Sequence, residues 1–190
     1  MARKRIIIGI SGASGVRLGI AVLEALREYP DWETHLVMTH GAEITLAYET
    51  DKSPDEVKAM ADVTHPIDNL AASISSGSFV TEGLIIAPCS MKTAAGIANG
   101  YSENLLLRAA DVVIKEHRRL LLMPRESPLS PIHLKNLLSL AELGAFILPP
   151  VPAFYQKPTE IEAIINQITG RALGYFGIET DSFQPWEGQT

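Results

Sequence analysis

One segment restricts the fold more than any other: Arg5-Ile6-Ile7-Ile8-Gly9-Ile10-Ser11-Gly12-Ala13-Ser14-Gly15. Its β-branched apolar run has the make-up of a strand buried on both faces. The run breaks into small and hydroxyl-bearing residues. Beyond them Val16, Gly19/Ile20, Leu23 and Leu26 fall on one face of a helix. Strand, tight loop and helix follow in that order. Such a loop lets a ligand approach the backbone, and the helix N-terminus offers unpaired N–H groups to an anion. An ordinary tight βα turn has the same outline, so the loop alone leaves both readings open.

Two nucleotide fingerprints are missing. Gly9, Gly12 and Gly15 are spaced G-x-x-G-x-x-G rather than G-x-G-x-x-G, and the second strand, Glu33 to Met38, leads into Thr39 and His40. An NAD site would want an acid there for the ribose hydroxyls. No Gly-Lys-Ser/Thr follows the loop, which excludes a Walker A site. The frame suits a mononucleotide such as FMN.

The rest of the chain repeats the alternation. Helices are expected over Ala42 to Glu49, Pro54 to Met60 (capped by Ser53), Glu103 to His117, Pro131 to Leu143 (capped by Ser130) and Thr159 to Phe176. Further strands are expected at Gly83 to Ser90, ended by Pro88, at Arg118 to Pro124 and at Ala145 to Leu148. The serine-rich stretch Ala71 to Phe79 is expected to form a mobile or ligand-covering loop. Five strands alternating with helices imply an α/β fold, a single Rossmann-like or flavodoxin-like domain over residues 1–190 with an open parallel sheet and helices on both faces. Ligands of such sheets bind beyond the carboxyl ends of the strands. Ser11 to Ser14, Thr39, Ser90-Met91-Lys92-Thr93 and Arg125-Glu126 all stand at those ends.

Composition narrows the class. The 190 residues are 46% hydrophobic and 20% charged, with net charge −6 and no basic run, which argues against nucleic acid as a partner. A single cysteine, Cys89, excludes an internal disulfide and fits a reducing compartment. No apolar run reaches the length of a signal core or a membrane span, so the expected location is the cytoplasm. The five histidines show no metal-ligand spacing, and no G-x-S-x-G elbow is present.

Several side chains invite a functional and a plainer reading. Ser90 to Thr93 places hydroxyls and a lysine at a helix start, where capping with Lys92 solvated explains them equally well. Arg125 and Glu126 directly follow a strand: one can hold an anion while the other serves as acid or base, or the two form a surface ion pair worth little. Arg108 and Lys115, seven residues apart on one helix, share a face that solvent alone can account for, and Arg171 on the last helix is unremarkable by itself. Phe154 and Tyr155, in a stiff segment between Pro149 and Pro158, either cover a planar ligand or plug the core.

Together these pieces resemble the UbiX-type flavin prenyltransferases, a family that takes in phenylacrylic acid decarboxylase-like proteins and components of hydroxyarylic acid decarboxylase systems. The resemblance rests on Ser11-Gly12-Ala13-Ser14-Gly15, Glu49-Thr50-Asp51, Pro88-Cys89-Ser90-Met91-Lys92-Thr93, Arg108-Ala109-Ala110-Asp111, Lys115-Glu116, Pro124-Arg125-Glu126, Ile132-His133-Leu134 and Pro152-Ala153-Phe154-Tyr155, in family order along nearly the whole chain. It implies a metal-independent transfer of a dimethylallyl group from dimethylallyl phosphate to N5 and C6 of reduced FMN. The product, prenylated FMN, would serve a UbiD-type decarboxylase. It also implies a large homo-oligomer, commonly a dodecamer, with sites at subunit interfaces. By the same resemblance Gly12, Ala13, Ser14, Thr39, Ser90, Met91, Lys92, Thr93 and Arg125 would bind the flavin. Arg108, Lys115, Glu126, Tyr155 and Arg171 would surround the prenyl phosphate, and Glu49 and Ser14 would sit near the reacting centre. Thr39 stands where the family often has Ser and keeps the hydroxyl. Glu126, Glu49 and the released phosphate are alternative acceptors of the C6 proton. Direct decarboxylation of hydroxyaromatic acids and a flavodoxin-like FMN carrier are the competing functions. The Pro124-Arg125-Glu126 stretch weighs against the flavin-dependent cysteine decarboxylases, and the basic residues weigh against a simple electron carrier.

Overall fold

Six parallel strands form one sheet in the order β3-β2-β1-β4-β5-β6. This computed structural model describes residues 3–181, 183–186 and 188. In chain order the elements are β1 (Lys4–Ile10), α1 (Val16–Leu26), β2 (Trp32–Met38), α2 (His40–Glu49), α3 (Pro54–Lys58), β3 (Val63–His65), β4 (Gly83–Cys89), α4 (Met91–Ala98), α5 (Leu105–Lys115), β5 (Arg119–Pro124), α6 (Pro131–Glu142), β6 (Phe146–Ile147) and α7 (Ile161–Tyr175). Short 3-10 turns lie at Ser73–Ser75 and Phe154–Gln156.

The period-two alternation of a strand decides which residue enters which layer. Ile6, Ile8 and Ile10 of β1 face a core shared with α1 and α7, where Leu23, Leu26, Ala172 and Leu173 are buried. Ile7 faces the opposite core, with Leu84, Ile86 and Leu122 of the sheet and Leu106, Ala109 and Val113 of α5. Both faces of the central strands are therefore covered, and each fully buried isoleucine contributes about 1.5–3 kcal/mol relative to exposure. The chain runs outward from β1 to β3 and then returns to β4 on the other side of β1. The β1–β4 boundary is the place where the winding reverses, and crevices open beyond the strands at such points.

Three expectations need correction. β3 is a sixth strand beyond the five expected, in the stretch from Thr50 to Asn69, whose composition reads only as polar. It pairs with β2 through His35–Val63, Leu36–Thr64 and Val37–His65, as an edge strand that needs no apolar face. Asp62 holds it in place by accepting from the Thr34 N–H and hydroxyl at 2.8 and 3.0 Å. β4 does not end at Pro88 but runs through it to Cys89. The serine-rich stretch is anchored rather than free. Ile74 is buried, Arg108 donates to the Ser75 carbonyl at 3.2 Å, and Arg118 donates to the Gly77 and Phe79 carbonyls at 2.5 and 2.9 Å.

Candidate active site

The carboxyl ends of β1, β2 and β4 meet at the reversal point, and a cleft of ≈650 Å³ opens there. Gly12, Thr39, Ser90, Lys92 and Thr93 line it, as their places at strand ends suggest. The residues are set by local chemistry. Thr39 caps α2, its hydroxyl accepting from the Ala42 N–H at 3.1 Å, and its own N–H donates to the Ile10 carbonyl at 3.0 Å. Ser90 caps α4 by accepting from the Thr93 N–H at 3.2 Å, and its hydroxyl donates to the Thr93 hydroxyl at 3.0 Å. Lys92 is exposed at the rim, whereas the side chain of Met91 turns into the core.

Ser11 joins the two strand ends from below. Its fully buried hydroxyl donates to the Pro88 carbonyl at 2.8 Å and accepts from the Ser90 N–H at 2.7 Å. Gly12 sits so close to α2 that a Cβ there would lie 2.8 Å from the Gly41 Cα. Beneath Ser90 lies Cys89, whose thiol burial pushes up to about 12, so it is an apolar filler rather than a nucleophile.

The N-terminus of α1 is not open to an external anion, contrary to the expectation from its loop. Gly15, in the left-handed region at φ 100°, and Val16 direct their N–H groups to the carboxylate of Glu49, at 2.8 and 3.0 Å from Oε2. Glu49 at the end of α2 thus supplies the negative charge that this terminus attracts. The contact also places Glu49 next to Ser14, which is exposed on the loop beside the half-buried Ala13.

The remaining expected residues fall in three other places within the chain. Tyr155 and Arg171 line a second cavity of ≈600 Å³ with Gln167, Phe183, Pro185 and Trp186. Arg108 pairs with Asp111 at 2.6 Å, and Lys115, at the other end of α5, pairs with Glu116 at 2.6 Å. The two basic residues lie about 10 Å apart along α5, given its rise per residue, and of α5 only Leu107 in the first turn lines the cleft. Arg125 and Glu126 are exposed in the loop after β5. The Arg125 N–H donates to the Cys89 carbonyl at 3.1 Å, and the Glu126 carboxylate accepts from the Ser127 N–H at 3.0 Å.

Some cleft residues carry no sequence signal of their own. His40 stands at the rim, with Asp68 at 3.5 Å from Nε2 and Glu43 at 3.7 Å from Nδ1. Glu43 is held below the usual carboxylate range chiefly by its hydrogen bond to Lys58. Tyr101 and Asn104 enter from the turn between α4 and α5, where Asn99-Gly100 marks a bend but says nothing about what the bend carries into the cleft. Among the described residues no three His, Cys, Asp or Glu side chains converge as a metal-binding group would.

Comparison with known proteins identifies the family. Residues 1–173 match the family described as Flavoprotein. The Escherichia coli K12 protein named flavin prenyltransferase UbiX is 53% identical over 187 residues, spanning 97% of this chain and 99% of that protein. A crystal structure of AnUbiX (PadA1) in complex with FMN and dimethylallyl pyrophosphate superposes with TM-score 0.96 at 51% identity, covering 99% of this chain and all of the other. A dodecameric FMN-dependent UbiX-like decarboxylase from Escherichia coli O157:H7 superposes with TM-score 0.95 at 50% identity, over 97% of this chain and 100% of the other. The chain belongs to the UbiX flavin prenyltransferase family of flavoproteins.

Proposed function

We propose that this chain, as a single flavoprotein domain over residues 1–190, transfers the dimethylallyl group of dimethylallyl phosphate to N5 and C6 of reduced FMN, releasing phosphate. The observation that carries the reading is the cleft at the β1–β4 reversal. It joins a close-approach glycine, Gly12, with the hydroxyls of Thr39, Ser90 and Thr93 and the ammonium of Lys92. A planar ring can lie along such a backbone, and a phosphate group is served by hydroxyls, a helix N-terminus and a cation. The reduced flavin supplies the nucleophilic ring atoms.

The protein's own part is to bind, orient and manage charge. Arg171, Arg108 and Lys115 provide charge-assisted hydrogen bonds to a leaving phosphate, and Tyr155 donates a further one. Glu126, Glu49 and the released phosphate are the candidate acceptors of the C6 proton. The chain places Arg108 and Lys115 on α5 and Tyr155 and Arg171 in the second cavity, away from the flavin cleft. Neighbouring copies in a dodecamer, the state of one relative, would bring these groups together. Exposed Ile132, Leu134 and Leu138 on α6 and Phe154 and Ile161 before and on α7 are the kind of surface such an assembly covers. Prenylated FMN would then pass to a UbiD-type decarboxylase of aromatic acids. No described helix is long and apolar enough to cross a membrane, and a cytoplasmic location fits the reduced cysteine.

The deciding experiment mixes the purified chain with chemically reduced FMN and dimethylallyl phosphate in the absence of oxygen. Phosphate release together with a flavin of increased mass is the expected result. No flavin product defeats the proposal. Carbon dioxide released from a phenolic acid by this chain alone would instead establish a direct decarboxylase.

A further inference from the structure

α7 carries an amide among apolar neighbours. Gln167 is 7% exposed, on the helix face of Gly170, Arg171 and Gly174, with the buried Ile168 and Leu173 on its flanks. A buried amide is costly unless both its donor and its acceptor are used. Both partners come from one residue of the C-terminal segment. Gln167 Nε2 donates to the Gln184 carbonyl at 3.3 Å, and Gln167 Oε1 accepts from the Gln184 N–H at 3.4 Å. Gln156, from the same 3-10 turn as Tyr155, donates to that carbonyl at 2.8 Å. A carboxamide offers donor and acceptor side by side on one planar group, in the spacing that pairs with a peptide N–H and C=O together.

The segment held this way reaches both groups of the second cavity on which phosphate binding depends. Trp186 packs edge-on against Tyr155 with centroids 5.1 Å apart, and the Phe183 ring lies 5.9 Å from the Arg171 guanidinium carbon. Gly170 leaves the seat for it, since a Cβ there would lie 2.5 Å from the Phe183 Cβ. We propose that Gln167 is a positioning residue for the prenyl phosphate: its paired hydrogen bonds to the Gln184 main chain hold the C-terminal segment so that Trp186 fixes Tyr155 and Phe183 fixes Arg171 along the ≈600 Å³ cavity. The proposal rests on the prenyl-transfer reading given above, which assigns Tyr155 and Arg171 to the phosphate.

The test compares Gln167→Met, which keeps length and volume but neither hydrogen bond, with Gln167→Glu, which keeps only the acceptor. For Gln167→Met the KM for dimethylallyl phosphate should rise about tenfold, the size two lost hydrogen bonds predict. The Kd for FMN should stay within about twofold, because residue 167 does not line the flavin cleft. Gln167→Glu should fall between. Tryptophan emission, measured without substrate, gives a second readout. After subtraction of the Trp32 signal obtained from Trp186→Phe, Trp186 emission should shift to longer wavelength in Gln167→Met. Unchanged KM, with or without an emission shift, overturns the positioning role, as does an equal loss of FMN affinity. If Gln167→Met fails to fold, Gln156→Met removes the other donor to the same carbonyl. It should raise the KM and shift the emission in the same directions by less, and wild-type values for both would overturn the proposal. Should the wild-type chain show no prenyl transfer at all, the reaction assignment fails. The emission shift then still decides whether Gln167 holds the segment.

Discussion

The two strand-to-helix junctions beside the reversal point look alike in sequence and do different work. Each has a buried strand residue followed by serine: Ile10-Ser11 in one, Cys89-Ser90 in the other. In the first, the serine hydroxyl and the N–H groups at the helix start are taken up within the chain. Ser11 is buried between Pro88 and Ser90, Gly12 presses on Gly41, and the N–H groups of Gly15 and Val16 belong to Glu49. In the second, Ser90 is half-buried and caps α4 from its own sequence, while Lys92 stands exposed at the cleft rim. A helix N-terminus is thus an anion site only where the protein has not already filled it. The first junction forms a closed wall of the cleft through Gly12, and the second presents Lys92 and the hydroxyls of Ser90 and Thr93 to it.

The largest effect should come from the wall. Gly12→Ala places a Cβ 2.8 Å from the Gly41 backbone, where neither side can yield cheaply. A loss of about 1–3 kcal/mol in stability, read from denaturant unfolding, is expected, together with weakened flavin binding. A variant as stable as the parent would mean that the two loops separate freely, and the wall would not be closed.

Next comes the internal anion. Glu49→Ala strips the α1 N-terminus of its carboxylate and should cost about 1–2 kcal/mol. It should also convert the wall into the kind of site the second junction is. Millimolar sulfate at constant ionic strength should raise the Tm of Glu49→Ala by more than that of the parent. Equal responses would show that Glu49 was not standing in for an anion.

These contrasts also mark what the chain discloses before it is folded. The strand-loop-helix units were legible because apolar periodicity and capping are local. Ser53-Pro54 and Ser130-Pro131 do start α3 and α6, each with a full capping box. The cleft residues Gly12, Thr39, Ser90, Lys92 and Thr93 were legible because parallel sheets put strand ends on one edge. β3 was not, since three residues at a sheet edge need no hydrophobic pattern. The link from Glu49 to Gly15 spans 34 residues, and that from Ser11 to Ser90 spans 79. Nothing in either local sequence says which partner will arrive, because packing of whole elements decides it. The same holds for Gln184 docking on Gln167, and for the Arg118 contacts that anchor a serine-rich stretch with every compositional mark of a mobile loop.

The second junction can be tested with less damage. Lys92→Ala removes an exposed cation that caps nothing, so stability should change by no more than about 0.5 kcal/mol. FMN affinity, followed by flavin fluorescence, should fall about tenfold if the ammonium serves the phosphate. Unaltered affinity would leave the cleft without its cation and erase the difference between the junctions.

The smallest effect concerns the floor that both junctions share. Cys89 occupies the place that Ile10 holds in the first strand, and its thiol is pushed by burial from 9.0 to about 12. At pH 8 only about one part in ten thousand would be thiolate, so thiol reagents should react with the native chain only as fast as it unfolds. The same shift fixes a sign. Between pH 9.0 and about 12 the unfolded thiol releases its proton while the folded one retains it. The folded state then binds more protons, and stability falls as pH rises through that window. Cys89→Ala removes this dependence along with some packing, so its stability should decline less steeply with alkaline pH than that of the parent. Parallel curves, or rapid labelling of the native thiol, would mean that the floor under Ser90 opens to solvent. The two junctions would then differ in depth as well as in their loops.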